Sequence, residues 1–358
     1  MVKKRVTSKM VAQHAGVSQT TVSFVLNRVE GQNISEETQH RVFDAARELG
    51  YVPDAAARNL ARGVSDNIAI VFTQPHDAVF SDEYVSYVLT GVVQVMQKKG
   101  FRVIVEMVDT LQQSETYLNF AKGKEVAGLI ILPYHSRPHD VGIMLDLIKD
   151  GFPLISLGPV TDFEGEKDEL NTVLIDSASG VHDILNHLLQ LGHTRIATIS
   201  YAPEDGTYES QMRMTIYRNM LREKGIAIDE GLMKYGNYLP ESAYQATLEL
   251  LALDNPPTAI FALNDVMAFG AMSAIQESGY KVPEDIAVVG YDGIHLARYA
   301  TPSLTTIEAP NLEQGHYAAE MLLKLINGKT LEARQVELQP KLVIRESCGY
   351  NLKHSHRR

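Results

Sequence analysis

One cysteine, Cys348, stands in 358 residues. A lone cysteine leaves no internal disulfide and no multi-cysteine zinc site to build, so its expected role is that of a structural thiol. Long apolar runs are missing as well: no stretch approaches the roughly 20 residues that a membrane-spanning helix needs. The start, MVKKRVTSK, is basic but has no apolar segment of the kind a secretory signal carries, so a soluble, cytoplasmic protein is expected. Catalytic signatures are also absent, with no G-x-S-x-G elbow, no Walker phosphate loop, no G-x-G-x-x-G and no H-E-x-x-H. The twelve histidines are scattered, and His354-Ser355-His356 ahead of two terminal arginines reads as a solvated, flexible end rather than a metal site. Neither catalysis nor a metal or cofactor is expected.

Positive charge is scarce, with 33 Lys and Arg against 44 acids and a net charge of −11. Taken alone, that balance argues against a nucleic-acid partner. Its distribution argues the other way. Residues 1–62 hold nine Lys or Arg against six acids, a net +3, which leaves −14 for the remainder. A basic end on an acidic body suits a protein that touches phosphates with one end and keeps its body off the duplex.

The most informative stretch is TSKMVAQHAGVSQTTVSFVLNR, residues 7–28. Ala12 lies four residues before Gly16 and Val22 six after it, which places a close helix contact, a turn and a buried aliphatic in the order of a helix-turn-helix. Ser18 is the expected N-cap of the second helix. Val22, Val25 and Leu26 recur at helical spacing and face inward, leaving Gln19, Thr20, Ser23 and Phe24 on the face that a major groove would meet. A third helix starts after Ser35, with Glu36 and Glu37 at its positive end, and stops at Gly50; Val42, Ala45, Ala46 and Leu49 form its apolar stripe. Pro53 then breaks the chain ahead of AAARNLARG, a short hinge-like segment too brief to be a stable helix alone.

The texture changes from Asn67 onward. Aliphatic runs at 68–72, 101–105, 126–132, 153–157, 195–200, 258–263 and 286–291 alternate with amphipathic helical patterns at roughly thirty-residue spacing, as buried parallel strands of strand-helix-strand units do. So many strands over almost 290 residues predict two lobes, with a boundary near Ile175-Asp176 and a return near Glu308-Ala309-Pro310. Ligands of such folds bind beyond the carboxyl ends of the strands.

With these parts in order, the chain resembles the lactose-repressor (LacI/GalR) family of transcription regulators. The resemblance rests on VSQTTVSFVLNR at 17–28, AARNLARG at 56–63, NDVMAFGAM at 264–272, and VPEDIAVVGYD at 282–292 followed by TPSLTTI at 301–307. It implies a small all-α helix-turn-helix head plus hinge, then an α/β two-lobed body like a periplasmic binding protein, built of doubly wound parallel sheets. The implied layout is a head at 1–52, a hinge at 53–65, one lobe from 66–175 and 309–338, the other from 176–308 and 339–350, and a flexible tail at 351–358. The implied function is a repressor of carbohydrate-utilisation genes. It would bind double-stranded operator DNA as a homodimer, or a pair of dimers, under the control of a small molecule, a sugar or sugar derivative, in the interlobe cleft. The tail shows no leucine heptad, which favours the dimer.

Carried over by motif, Gln19, Thr20 and Phe24 occupy base-reading positions and Thr21 and Ser23 lie near the backbone, with Thr7, Ser18 and Asn27 completing the contact set. Phe24 departs from the pattern, since it offers a base only an apolar surface. Leu60 matches the leucine that relatives insert into the minor groove, supported by Arg58; an ordinary apolar contact with the body is the competing reading. In the body, Arg213, Asn264 and Asp292 match effector-binding polar groups, a guanidinium, a carboxamide and a carboxylate suited to adjacent hydroxyls. Tyr238, Phe80 and Tyr84 are aromatic candidates for the same cleft, with core packing as the alternative for each. Asp265 is expected to be a helix cap. Gly158 and Ile216 depart from sugar-binding relatives, so a nucleobase, a phosphorylated sugar and a disaccharide all stay open as effectors, as does a corepressor or phosphoprotein logic. A sugar-binding protein without DNA function is the remaining rival, and the head argues against it.

Overall fold

A computed structural model of the chain describes residues 6–27, 31–52, 65–73, 83–108, 112–133, 138–158, 167–201 and 208–350. Two compact units result, Met1–Asp66 and Asn67–Arg358. The hinge segment 53–64 with Arg58 and Leu60, the tail 351–358, and Phe80 lie outside the described residues.

The first unit is three helices, α1 (Ser8–Ala15), α2 (Gln19–Leu26) and α3 (Glu36–Leu49). Gly16 ends α1 at φ 66°, a left-handed conformation that lets the chain reverse within two residues and that a Cβ would penalise. The next helix begins at once, because the Ser18 hydroxyl accepts from the Thr21 amide at 3.0 Å. Ser35 does the same for Thr38 at 3.3 Å, so both expected caps form. The core is Val11, Ala12, Ala15, Val22, Val25, Val42, Ala45 and Ala46, with Leu26 and Leu49 partly buried beside them. These side chains are small, so the helices approach closely while burying little apolar area per residue.

The second unit carries two six-stranded sheets. The chain lays down β1 (Asn67–Phe72), α4 (Glu83–Lys98), β2 (Arg102–Met107), α5 (Gln113–Gly123), β3 (Leu129–Leu132), α6 (Pro138–Lys149), β4 (Leu154–Ser156) and β5 (Thr172–Ile175). It then forms α7 (Ser177–Gln190), β6 (Ile196–Tyr201), α8 (Tyr208–Glu223), β7 (Met233–Gly236), α9 (Pro240–Leu251), β8 (Ala259–Ala262), α10 (Asp265–Glu277), β9 (Ala287–Asp292) and β10 (Thr305–Glu308). Last come α11 (Asn311–Ile326), β11 (Gln335–Leu338) and β12 (Lys341–Val343). The strand orders are β11-β5-β4-β3-β1-β2 and β12-β10-β9-β8-β6-β7, the same wiring twice. The chain passes from the first sheet to the second after β5, returns after β10 to add β11, and passes over again to add β12.

All seven aliphatic runs become strands, and β1, β3 and β4 are buried along almost their whole length, as strands covered on both faces should be. Two expectations need correction. The run at 101–105 forms β2, which ends its sheet and leaves Arg102 and Val105 exposed, so it is not a fully buried strand. The second sheet is not wholly parallel, because β12 runs antiparallel to β10. Helix cover on the first sheet is tight where α4 crosses α11: a Cβ at Gly91 would sit 2.3 Å from Leu312 O, and one at Gly315 2.2 Å from Val88 O. Cys348 is buried, as expected of a structural thiol, with its sulfur 3.2 Å from His187 Nε2.

Candidate functional site

In the head, α2 presents Gln19 and Thr20 exposed, with Thr21, Ser23, Phe24 and Asn27 half-buried along the same helix. The polar groups are held in place. Gln19 Nε2 donates to Ser8 Oγ at 2.8 Å, the Ser18 and Thr21 hydroxyls lie 2.8 Å apart, and Asn27 Nδ2 donates to Ser23 Oγ at 3.2 Å. Thr7 is exposed and takes the N-cap place of α1 with extended backbone, without a side-chain bond to the helix. Polar side chains fixed along one short helix, with its apolar residues turned to the core, are what a groove-reading helix requires.

The effector candidates of the second sheet gather at the carboxyl ends of β6, β8 and β9. Arg213 reaches over from α8; its Nη1 donates to Leu263 O at 2.9 Å, and its guanidinium carbon lies 3.7 Å from the centre of the Tyr291 ring. An aromatic face holds a planar cation by charge-quadrupole attraction, which fixes the plane of the guanidinium. Asn264 caps α10, its Oδ1 accepting from Met267 N at 2.7 Å, while its Nδ2 donates to Tyr238 O at 3.4 Å. The carboxamide therefore fixes the backbone of a second candidate.

Strain marks the same place. Among the described residues three non-glycines have positive φ: Lys124 at 55°, Tyr238 at 64° and Asp292 at 110°. Lys124 caps a helix, where that conformation is ordinary. Tyr238 and Asp292 have no such excuse, and backbone held in sparsely populated regions concentrates at ligand sites. Tyr84 sits in the first lobe, half-buried against its core, and its hydroxyl donates to Gln314 Oε1 at 3.1 Å.

Asp265 is not the helix cap that its sequence position suggests; Asn264 is. The Asp265 carboxylate is instead buried, accepting from Ile294 N at 2.8 Å and from the Thr306 hydroxyl. Burial pushes it up to about 7, against the opposing pull of these donors. Gly290 makes room for it, since a Cβ there would lie 2.2 Å from Asp265 Oδ1. Sequence reasoning also passed over Tyr201, whose ring centre is 4.6 Å from that of Tyr238, and Tyr291 beneath Arg213. Tyr291 stood inside a quoted motif; nothing in the local sequence marked Tyr201. Among the described residues no group of three or more His, Cys, Asp or Glu is placed to hold a metal, and no helix is long and apolar enough to cross a membrane.

Residues 7–54 match the bacterial regulatory proteins of the lacI family, and residues 185–348 match a periplasmic binding protein-like domain. The HTH-type transcriptional repressor PurR of Vibrio campbellii is 34% identical over 345 residues, covering 95% of this chain and 98% of its own. The chain belongs to the LacI family. Another relative of this LacI-family protein is the HTH-type transcriptional regulator CelR of Thermobifida fusca, 33% identical over 96% of this chain and 99% of the relative. Among solved structures, the lac repressor dimer bound to operator and the anti-inducer ONPF aligns with a TM-score of 0.82 at 29% identity, over 96% of this chain and 99% of that one. A CelR–cellobiose complex aligns with a TM-score of 0.70 at 30% identity, over 96% and 100%. The LacI-family protein is thus a DNA-binding transcriptional regulator responsive to a small molecule, not an enzyme, and its body has the two-lobed architecture of periplasmic binding proteins.

Proposed function

We propose that this LacI-family regulator represses genes of carbohydrate use in the cytoplasm, binding a pseudo-palindromic operator as a dimer, and that a sugar or sugar derivative in the interlobe cleft controls it. The observation that carries the effector half is the Arg213 guanidinium, its carbon 3.7 Å from the Tyr291 ring centre and its Nη1 anchored to Leu263 O, in the lobe that holds the strained Asp292 and Tyr238. A fixed guanidinium and a carboxylate offer donors and acceptors to adjacent hydroxyls, and a tyrosine ring offers an apolar sugar face. The CelR–cellobiose complex among its structural neighbours supports that ligand class.

The lobes are taken as 66–175 with 309–338 and 176–308 with 339–350, joined to the 1–52 head by a hinge at 53–65. Gln19, Thr20 and Phe24 read bases, Thr7, Ser18, Thr21, Ser23 and Asn27 contact the backbone or support the readers, and Leu60 with Arg58 enters the minor groove. Effector closure of the lobes separates the paired hinges and withdraws Leu60. Leu296 and Tyr299, 56% and 65% exposed on the turn after β9, supply apolar surface for a second copy. A purine corepressor is the second reading, favoured by the Tyr201–Tyr238 pair, on which a base can stack, and by the PurR relatives.

The test is a thermal-shift screen of the full-length protein against sugars, sugar phosphates, nucleosides and purines. Ligand at a hundred times its dissociation constant adds about 2.7 kcal/mol. A sugar that stabilises the protein and releases operator DNA supports the proposal. A purine that stabilises it and tightens operator binding replaces it with the corepressor reading.

A further inference from the structure

We infer that Asp265 is the positioning residue of the effector site, a buried post that fixes the Asp292 turn and ties it to the strand by which the chain crosses between lobes. The inference rests on reading Asp292 as an effector contact. Its structural content does not. Asp265 stands at the start of α10 and is fully buried, yet its carboxylate bonds nothing of its own helix in the way a cap would. One side of it receives the amide of Ile294 at 2.8 Å, and the neighbouring Gly293 amide also favours its ionised form. Those two amides belong to the turn that holds Asp292 at φ 110° and Gly293 at φ 73°. Amides aimed at one anion stabilise the conformation that aims them, so the buried carboxylate holds this positive-φ turn in place.

The other side of the carboxylate receives the hydroxyl of Thr306, in the middle of β10. Two residues further on the chain leaves the second sheet for α11 and β11 of the first. The crossing segment is tied back to the same turn, since Ala309 N donates to Asp292 O at 3.1 Å. Asp292 thus has a side chain for effector and a carbonyl on the crossing, and Asp265 grips the elements to either side. Gly290 completes the fit by leaving no atom where the carboxylate lies. The cation that acts on the group is Arg345, which is itself bound to Leu304 O at 2.5 Å. A ligand that moves the Asp292 turn must therefore move the crossing or break a buried hydrogen bond to Asp265.

The test compares Asp265→Asn and Thr306→Val with the wild type by hydrogen exchange of the full-length protein, without effector. Asp265→Asn keeps the size of the side chain and one carbonyl acceptor; it should speed exchange at least tenfold in 290–296 and in 305–311. Thr306→Val, which cuts one side of the tie, should act on 305–311 alone. Backbone amide shifts of Gly293 and Ile294 should titrate with a midpoint near 7 in the wild type and not in Asp265→Asn. Faster exchange throughout β6, β8 and β9, or no change at either segment, would overturn the inference, as would amide shifts indifferent to the substitution. None of these readouts uses an effector or DNA, so they stand apart from the ligand screen, whose failure would remove only the effector role of Asp292.

Discussion

The two lobes share one wiring, six strands in the same spatial order with the sixth returned by a crossing, yet the described residues at the carboxyl ends of their strands differ. In the second lobe, β6, β8 and β9 end in Tyr201, in Leu263 and Asn264, and in Tyr291 and Asp292, with Asp292 in strained backbone and the equally strained Tyr238 just after β7. The described strand ends of the first lobe are plainer: β1 ends in Phe72 and Thr73, and β3 in Leu132 and Pro133, with no positive-φ side chain outside a helix end. Topology puts a binding edge in both lobes. Chemistry is added to it residue by residue, and strain shows where.

If the second lobe does the recognising, Arg213→Ala should weaken effector binding about 10–100-fold, the range for losing hydrogen bonds to a charged group, while operator affinity without effector stays within about twofold. Calorimetry with the sugar identified in the screen, beside fluorescence anisotropy with operator DNA, measures both. A normal effector response in Arg213→Ala would move recognition out of this lobe. The next effect sets one glycine in each lobe against the other. Gly315→Ala drives a methyl onto Val88 O in the first lobe and Gly290→Ala drives one onto Asp265 in the second, and each should cost about 1–3 kcal/mol in urea unfolding. Only Gly290→Ala should also alter the effector response; equal loss in both would make the second lobe no more than a scaffold.

A smaller effect is a pH dependence confined to the second lobe. Asp265 holds its proton to about 7 when folded and releases it in the ordinary carboxylate range when unfolded. The folded state therefore binds more protons between about pH 4 and 7, so stability falls as pH rises through that window and is level above it. The melting temperature of the wild type, taken relative to Asp265→Asn, should decline by a few degrees across that window. A flat difference would show the carboxylate to be ionised throughout. Smallest is Tyr201→Ala, which removes the partner of Tyr238 and should cost about 0.5–1.5 kcal/mol, read as weaker effector binding with an unchanged head.

What the sequence disclosed follows the range of the forces involved. Caps at Ser18 and Ser35 and the turn at Gly16 are local, and each was legible from a few neighbours. Six of the seven aliphatic strands declared themselves because both faces are buried, and β2 did so by its aliphatic composition although it lies at a sheet edge. Five others did not: β5, β7, β10, β11 and β12 have three or four residues each, and MKYG, QVEL and KLV carry too little apolar pattern to stand out. Asn264 and Asp292 were read through their motifs and Arg213 through the family resemblance, whereas the roles of Tyr201, Gly290 and Asp265 exist only once distant segments meet. Asp265 shows this best, since its place beside Asn264 suggested a cap, and a strand 41 residues away gave it another partner.

The late return of β11 has a consequence for synthesis. A ribosome delivers β5 about 160 residues before the strand that pairs with its outer edge. At about 5–20 residues per second that edge waits roughly 8 to 30 s, exposing a row of unpaired backbone groups while the whole second lobe emerges. β12 follows β11 within a few residues, so both sheets close almost together at the end of translation. A nascent chain stalled before residue 335 would hold two open sheets, and truncations there should be captured by chaperones far more than truncations after 343.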